Sequence, residues 1–124
     1  MKILMIDDDI HKANNLLYCF SDDDIKLSNN FMDGLEKLMA ENFELLILDM
    51  NFPITENGKI HKLGFEFLNE MKRKKMLIPT VIYSSESYDI SKYKNVIGYI
   101  KYNMLSDERE NVNNLKNKVL TLKK

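Results

Sequence analysis

Leu45-Leu46-Ile47-Leu48 is apolar at every position and stops at a carboxylate, Asp49. A strand with one wet face alternates apolar and polar side chains, so an unbroken run reads as a strand covered on both faces. Ile3-Leu4-Met5-Ile6 repeats the pattern and stops at Asp7-Asp8-Asp9. Thr80-Val81-Ile82-Tyr83, opened by Pro79, runs into Ser84-Ser85, and Val96-Ile97-Gly98-Tyr99-Ile100 runs into Lys101. Ile25-Lys26-Leu27-Ser28 is a shorter and weaker run of the same kind.

Such strands need helices to cover them, and the intervening stretches have helical spacing. Ala13, Leu16, Leu17 and Phe20 predict a first helix over about residues 10–20. Phe31, Leu35, Leu38 and Met39 predict a second, with Asn29 or Asn30 as its cap. Phe65, Leu68, Met71 and Lys72 mark a third, which ends in Lys72-Arg73-Lys74-Lys75, cations suited to a helix C-terminus. The stretch from Glu86 to Asn95 is polar and only weakly helical, with room for barely two turns. Val112, Leu115, Val119 and Leu122 predict a last helix from Leu105 to Leu122. Strands alternating with helices predict an α/β fold in three layers, a doubly wound parallel sheet of five strands, because parallel neighbours need a crossover between them.

The chain has 124 residues, the size of one domain, and residues 1–124 are read as a single unit. Acids and bases nearly cancel, 19 against 18, so charge gives no reason to expect nucleic acid or an anionic membrane as partner. Cys19 is the only cysteine, which excludes an intramolecular disulfide, and its apolar neighbours predict a core thiol. No apolar run reaches the roughly 20 residues of a membrane-spanning helix, and the N-terminus lacks a signal-peptide pattern. A cytoplasmic protein is expected.

In open parallel sheets, ligands bind outside the carboxyl ends of the strands. Here those ends carry Asp7-Asp8-Asp9, Asp49, Ser84-Ser85 and Lys101. Any one such Asp is commonly a turn residue or a cap, and Asp9 fits a cap. Acids after two separate buried strands, with a hydroxyl after a third, are harder to explain that way. Converging carboxylates repel one another unless a hard cation sits among them, and Mg²⁺ takes such oxygen ligands.

The order strand-Asp-Asp, strand-Asp-x-x-x-Pro, Ile-Pro-x-x-x-x-Ser and Gly-Tyr-Ile resembles response regulator receiver domains over nearly the whole chain. The resemblance implies a flavodoxin-like (CheY-like) fold. It makes Asp49 the phosphoacceptor, with Asp7, Asp8 and the backbone carbonyl of Asn51 completing an Mg²⁺ site. Pro53 matches the proline beyond the phosphoacceptor, Ser84 the hydroxyl that meets the phosphoryl group, and Tyr99 a switch aromatic. A histidine kinase or phosphotransfer protein would supply the phosphoryl group. With nothing after Lys124 to act as an output module, the signal is expected to pass to a downstream protein.

Three departures stand out. Receivers usually carry a lysine one residue beyond Gly-Tyr-Ile-Lys101, followed by a proline; Tyr102 and Asn103 stand there. Lys101 and Tyr102 alternate across a strand, so Lys101 reaches the pocket only if a bulge turns it inward. Otherwise the pocket has lost its lysine, and Tyr102 points there instead. The loop from Asn51 to Leu63 is long, with a turn expected at Thr55-Glu56-Asn57-Gly58; it borders the pocket and carries His61, read as a solvated residue. The segment after Ser84 is short, and Tyr88, Tyr93 and Tyr102 are read as packing it. A degenerate receiver that only binds partners is the alternative. A phosphatase of the haloacid-dehalogenase type is disfavoured, since Asn51 stands where that chemistry needs an acid.

Overall fold

The computed structural model describes residues 1–20, 22–102, 110, 113–114, 117–118 and 120–121. In chain order its elements are β1 (Lys2–Ile6), α1 (Ile10–Cys19), β2 (Asp24–Ser28), α2 (Phe31–Ala40), β3 (Leu45–Leu48), β4 (Asn51–Pro53), β5 (Ile60–Lys62), α3 (Gly64–Arg73), β6 (Thr80–Ser84) and β7 (Val96–Lys101). The described residues from Glu110 to Thr121 are helical, within the last helix expected from the sequence; the rest of that helix, and Asn103, lie outside the described residues. So does the Cys19 side chain.

Five strands pair in the order β2-β1-β3-β6-β7, all parallel. Alternation along each strand sorts the core into two layers. Ile3, Met5, Leu45, Ile47, Val81, Tyr83 and Ile100 face one side, where Ala13 and Phe20 cover them. Leu4, Ile6, Leu46, Leu48 and Ile82 face the other, against Leu38 of α2 and Phe67, Leu68 and Met71 of α3. Every residue of β3 is buried, as its unbroken apolar run requires. This is the three-layer, doubly wound parallel sheet expected from the sequence.

Local chemistry sets the helix ends. Asp9 Oδ1 accepts from the His11 and Lys12 amides at 3.0 and 3.3 Å, so Asp9 caps α1. Asn30 caps α2 through the Asp33 amide at 2.8 Å. After α3, Lys75 has φ 57 and its N–H donates to the Lys72 carbonyl, while Met76 N–H donates to that of Met71. This left-handed closure uses carbonyls that the helix leaves unpaired.

Two segments differ from the simplest reading of the sequence. The long loop is a hairpin: β4 and β5 pair antiparallel, with Phe52 opposite His61 and Pro53 opposite Ile60. Its turn lies at the expected place, with Asn57 at φ 64 and the Gly58 N–H donating to the Thr55 carbonyl. The hairpin is tied to the body by the Met32 N–H donating to the Ile54 carbonyl and by Phe52, which is wholly buried against Phe67. Between β6 and β7 the weakly helical stretch forms no helix. Asp89 Oδ1 instead accepts from the Ser91 amide and hydroxyl, a local bond that competes with a helix. Tyr88 and Tyr93 pack on Phe65 of α3, edge-on and stacked, each with centroids 5.6 Å apart. These aromatics cover the sheet where a fourth helix would lie.

Candidate functional site

The strand order reverses between β1 and β3: from β1 the chain winds outward to β2, then returns to build β3 on the other side. A crevice opens at such a point outside the carboxyl ends of the two strands. Asp7 leaves β1 and Asp49 leaves β3 there, and the Asp49 N–H donates to the Ile6 carbonyl at 3.0 Å. Asp7, Asp8 and Asp49 each offer a carboxylate oxygen, and these oxygens lie within 4.8 Å of one another. A cleft of about 270 Å³ opens over Asp8 and Asp49, lined also by Asp9, Lys12, Asn51, Ile60, Ser85 and Tyr102.

One member of this group, Lys12, lies at no strand end and in none of the motifs named above. Lys12, on the first turn of α1, is only 4% exposed. Its Nζ lies 2.8 Å from Asp7 Oδ2 and 3.2 Å from Asp49 Oδ1. It also stands over the rings of Tyr83 and Tyr102, 4.8 and 5.6 Å from their centroids. A signal for it was present: Lys12 sits four residues before Leu16, on the helix's apolar face. A cation in the first turn also faces the positive end of the helix dipole, so something else must hold it there. Two carboxylates do.

Asp7 Oδ1 accepts from the Asp9 amide at 2.9 Å. Asp7 Oδ2 is buried without a well-directed hydrogen bond, although the Lys12 ammonium is close; the contact is ionic and off-line. Burial pushes the Asp7 carboxyl up to about 7, Lys12 pulls it back, and the Asp49 charge pushes it up again. Burial likewise raises Asp8. Both described bonds to the Asp49 carboxylate, from Lys12 and from the Met50 amide at 2.8 Å, fall on Oδ1, so Oδ2 is the oxygen left for an electrophile.

The donor set suits a hard divalent cation. It consists of oxygens, one of them a buried carboxylate oxygen short of a directed donor. Ligand oxygens around Mg²⁺ bonded at about 2.1 Å lie roughly 3–4 Å apart, which small side-chain rotations reach here.

Of the other residues singled out in the sequence, Asn51 is half-buried at the start of β4 and lines the cleft. Ser84 ends β6, is 1% exposed, and accepts from the Glu86 amide at 3.4 Å; its neighbour Ser85 is the one that lines the cleft. Tyr99 is half-buried on the α2–α3 side, its hydroxyl without a well-formed hydrogen bond. Pro53 is buried in the hairpin, and His61 is exposed. A bulge does occur in β7, between the pairs Thr80–Val96 and Val81–Gly98, but it lies upstream. Past it, Lys101 is exposed and borders a separate groove with Tyr99, Asn114, Lys118 and Thr121. Tyr102 turns the other way, its amide on the Ser84 carbonyl at 2.7 Å and its ring edge-on to Tyr83.

No family model matches this sequence, and no curated protein does. Solved structures do match, and with the acidic crevice they define the class: the chain has the fold of CheY-like response regulator receiver domains. Among them, the response regulator TrrA of Thermotoga maritima, solved in complex with Mg²⁺-BeF, aligns at TM-score 0.69 and 23% identity over 98% of this chain and 97% of its own. The chemotaxis regulator CheY4 of Vibrio cholerae aligns at 0.67 and 18%, covering 94% and 96%. The phosphorylated cyanobacterial phytochrome response regulator RcpA aligns at 0.74 and 18%, covering 94% and 89%. At these identities it is the fold that is shared.

Proposed function

We propose that residues 1–124 act as a receiver in two-component signalling, with Asp49 accepting a phosphoryl group in the presence of Mg²⁺. The observation that carries this is the gathering of Asp7, Asp8 and Asp49 at the one crevice where the sheet reverses its winding. Likeness to a regulator bound to Mg²⁺-BeF and to another in its phosphorylated form supports the same reading.

In the proposed reaction, Asp49 Oδ2 attacks the phosphorus of a phosphohistidine on a kinase or phosphotransfer protein. A C–O–P acyl phosphate forms, the P–N bond breaks, and the imidazole leaves with the electron pair and takes up a proton. Asp7, Asp8, Asp49 and the Asn51 carbonyl would hold Mg²⁺, which offsets charge on the transferring oxygens. The product replaces the single carboxylate charge at the end of β3 with a phosphoryl group carrying about 1.5 to 2 negative charges, enough to draw a hydroxyl such as that of Ser84 toward it. A downstream protein would then read the altered surface, Tyr99 being the proposed switch aromatic. A cytoplasmic location suits this role, and no helix among the described residues is long and apolar enough to cross a membrane.

Incubation with Mg²⁺ and acetyl phosphate, followed by intact mass measurement, tests the reading. One added phosphoryl mass on the wild type and none on Asp49→Ala is the expected result. An unlabelled wild type, or equal labelling of both, overturns it.

The exposure of Lys101 favours one second reading, a receiver that binds partners without phosphorylation. It predicts partner binding that Asp49→Ala leaves intact and a wild type that stays unlabelled.

A further inference from the structure

We propose that Lys12 is the phosphoryl-contacting cation of this site, supplied by the first turn of α1 and not by the end of β7. The inference rests on Asp49 being the phosphoacceptor. It starts from a placement that is otherwise costly: a lysine buried to 4% exposure, at the wrong end of a helix dipole, between two carboxylates. Such a group persists where the surrounding charges require it.

The charges do require it. With all three carboxylates ionised, as metal ligands must be, and one ammonium, two negative charges remain, which one divalent cation balances. Without Lys12 the same cluster carries a third charge that the metal leaves unmatched. Lys12 and the metal share Asp7 and Asp49, so the ammonium is both a partner of the metal and its competitor. When Asp49 becomes an acyl phosphate, its carboxylate charge disappears and a dianionic group appears one bond further out. The four-carbon stem of Lys12 lets Nζ follow that charge from Oδ1 to a phosphoryl oxygen. Lys101 cannot take this part from its exposed position on another groove. The space toward β7 is closed by Tyr102, whose ring meets Tyr83 edge-on at 5.5 Å and backs the ammonium. The position that lost its lysine thus holds an aromatic wall for the lysine that arrives from α1.

The test compares wild type, K12M, K12Q and K101M. Folding is checked by circular dichroism, Mg²⁺ affinity by calorimetry, and phosphoryl binding by acetyl phosphate labelling and by beryllofluoride with Mg²⁺. Both Lys12 variants should bind Mg²⁺ at least as tightly as wild type, having lost the competitor, while labelling and beryllofluoride affinity fall roughly tenfold or more. K101M should stay within about twofold of wild type, since an exposed charge is screened. Methionine keeps the length and apolar stem of lysine, and glutamine keeps polarity. A further readout uses the intact protein: in lysine side-chain NMR of wild type, the Lys12 Cε signal should shift on adding beryllofluoride and that of Lys101 should not. Wild-type labelling in the Lys12 variants, loss in K101M, or a shift confined to Lys101 overturns the proposal and leaves Asp49 as phosphoacceptor. A wild type that neither labels nor binds beryllofluoride overturns the phosphoacceptor reading itself, and this one with it.

Discussion

Asp7 holds its proton more tightly in the fold than a free carboxyl does, because burial outweighs the nearby Lys12 ammonium. Folding therefore takes up a proton between the ordinary Asp range, about 4, and about 7. The sign follows: this group's contribution to stability is fully present below about pH 4 and is lost as pH rises through about 7. Urea melts in EDTA at several pH values should show wild type losing stability across that window, with D7N showing a flatter profile; equal slopes in the two proteins refute the assignment. Gly64 offers a residue-scale test of packing. A Cβ there would meet the Met50 side chain and lie 2.9 Å from Met50 Cα, backbone that cannot easily move aside. Gly64→Ala should cost about 1–3 kcal/mol in a urea melt. It should also disturb the start of α3, because the Leu63 and Gly64 amides both donate to the Met50 carbonyl.

The segment between β6 and β7 is held as an element by side chains where backbone bonds are few. Phe65 of α3 meets Tyr88 edge-to-face and stacks on Tyr93, and the Tyr93 hydroxyl reaches Asn69 Oδ1 at 3.0 Å. Phe65→Ala should destabilise the protein by about 2–3 kcal/mol, less than a wholly buried Phe because this one is half-exposed. Its distinguishing effect is local: amide exchange across residues 86–95 should quicken well before that of β3. Uniform change across the chain would show that the aromatic stack is not what fixes the segment. The hairpin of β4 and β5 is the second added element. With Asn51 and Ile60 at the cleft and Phe52 anchored in the core, it forms one wall of the acidic pocket.

Across the whole molecule, the acidic cluster opposes folding until its charge is balanced. A cation that binds the folded state and not the unfolded chain stabilises by about 2.7 kcal/mol at 100 times its Kd. Millimolar Mg²⁺ should therefore raise the melting temperature of wild type by several degrees. D8A, which removes a proposed oxygen ligand without touching the Lys12 contacts, should lose most of that rise. The same rise in D8A and wild type would place the metal elsewhere.

The unbroken apolar runs of β1, β3 and β6 predicted strands covered on both faces, and the helical spacing between the runs predicted that they lie parallel, because parallel neighbours need a crossover between them. The acids that end β1 and β3 followed from it, since parallel strands bring their carboxyl ends to one edge. A cap at Asp9, one at Asn29 or Asn30 (the fold uses Asn30) and the turn over Thr55-Glu56-Asn57-Gly58 were legible too, being local chemistry between residues a few positions apart. Tertiary structure decided the rest. The long loop is a hairpin anchored by Phe52 on Phe67, and the stretch after Ser84 lays Tyr88 and Tyr93 on Phe65 of α3 where a helix was thinkable. Above all, the cation beside Asp49 could not be chosen by reading along β7. Lys12 and Asp49 are far apart in the chain, and what joins them is the pairing of β1 with β3, which sets the first turn of α1 beside the end of β3. Spacing along α1 marks Lys12 as lying on the apolar face, but which carboxylates it meets there depends on how the strands pair.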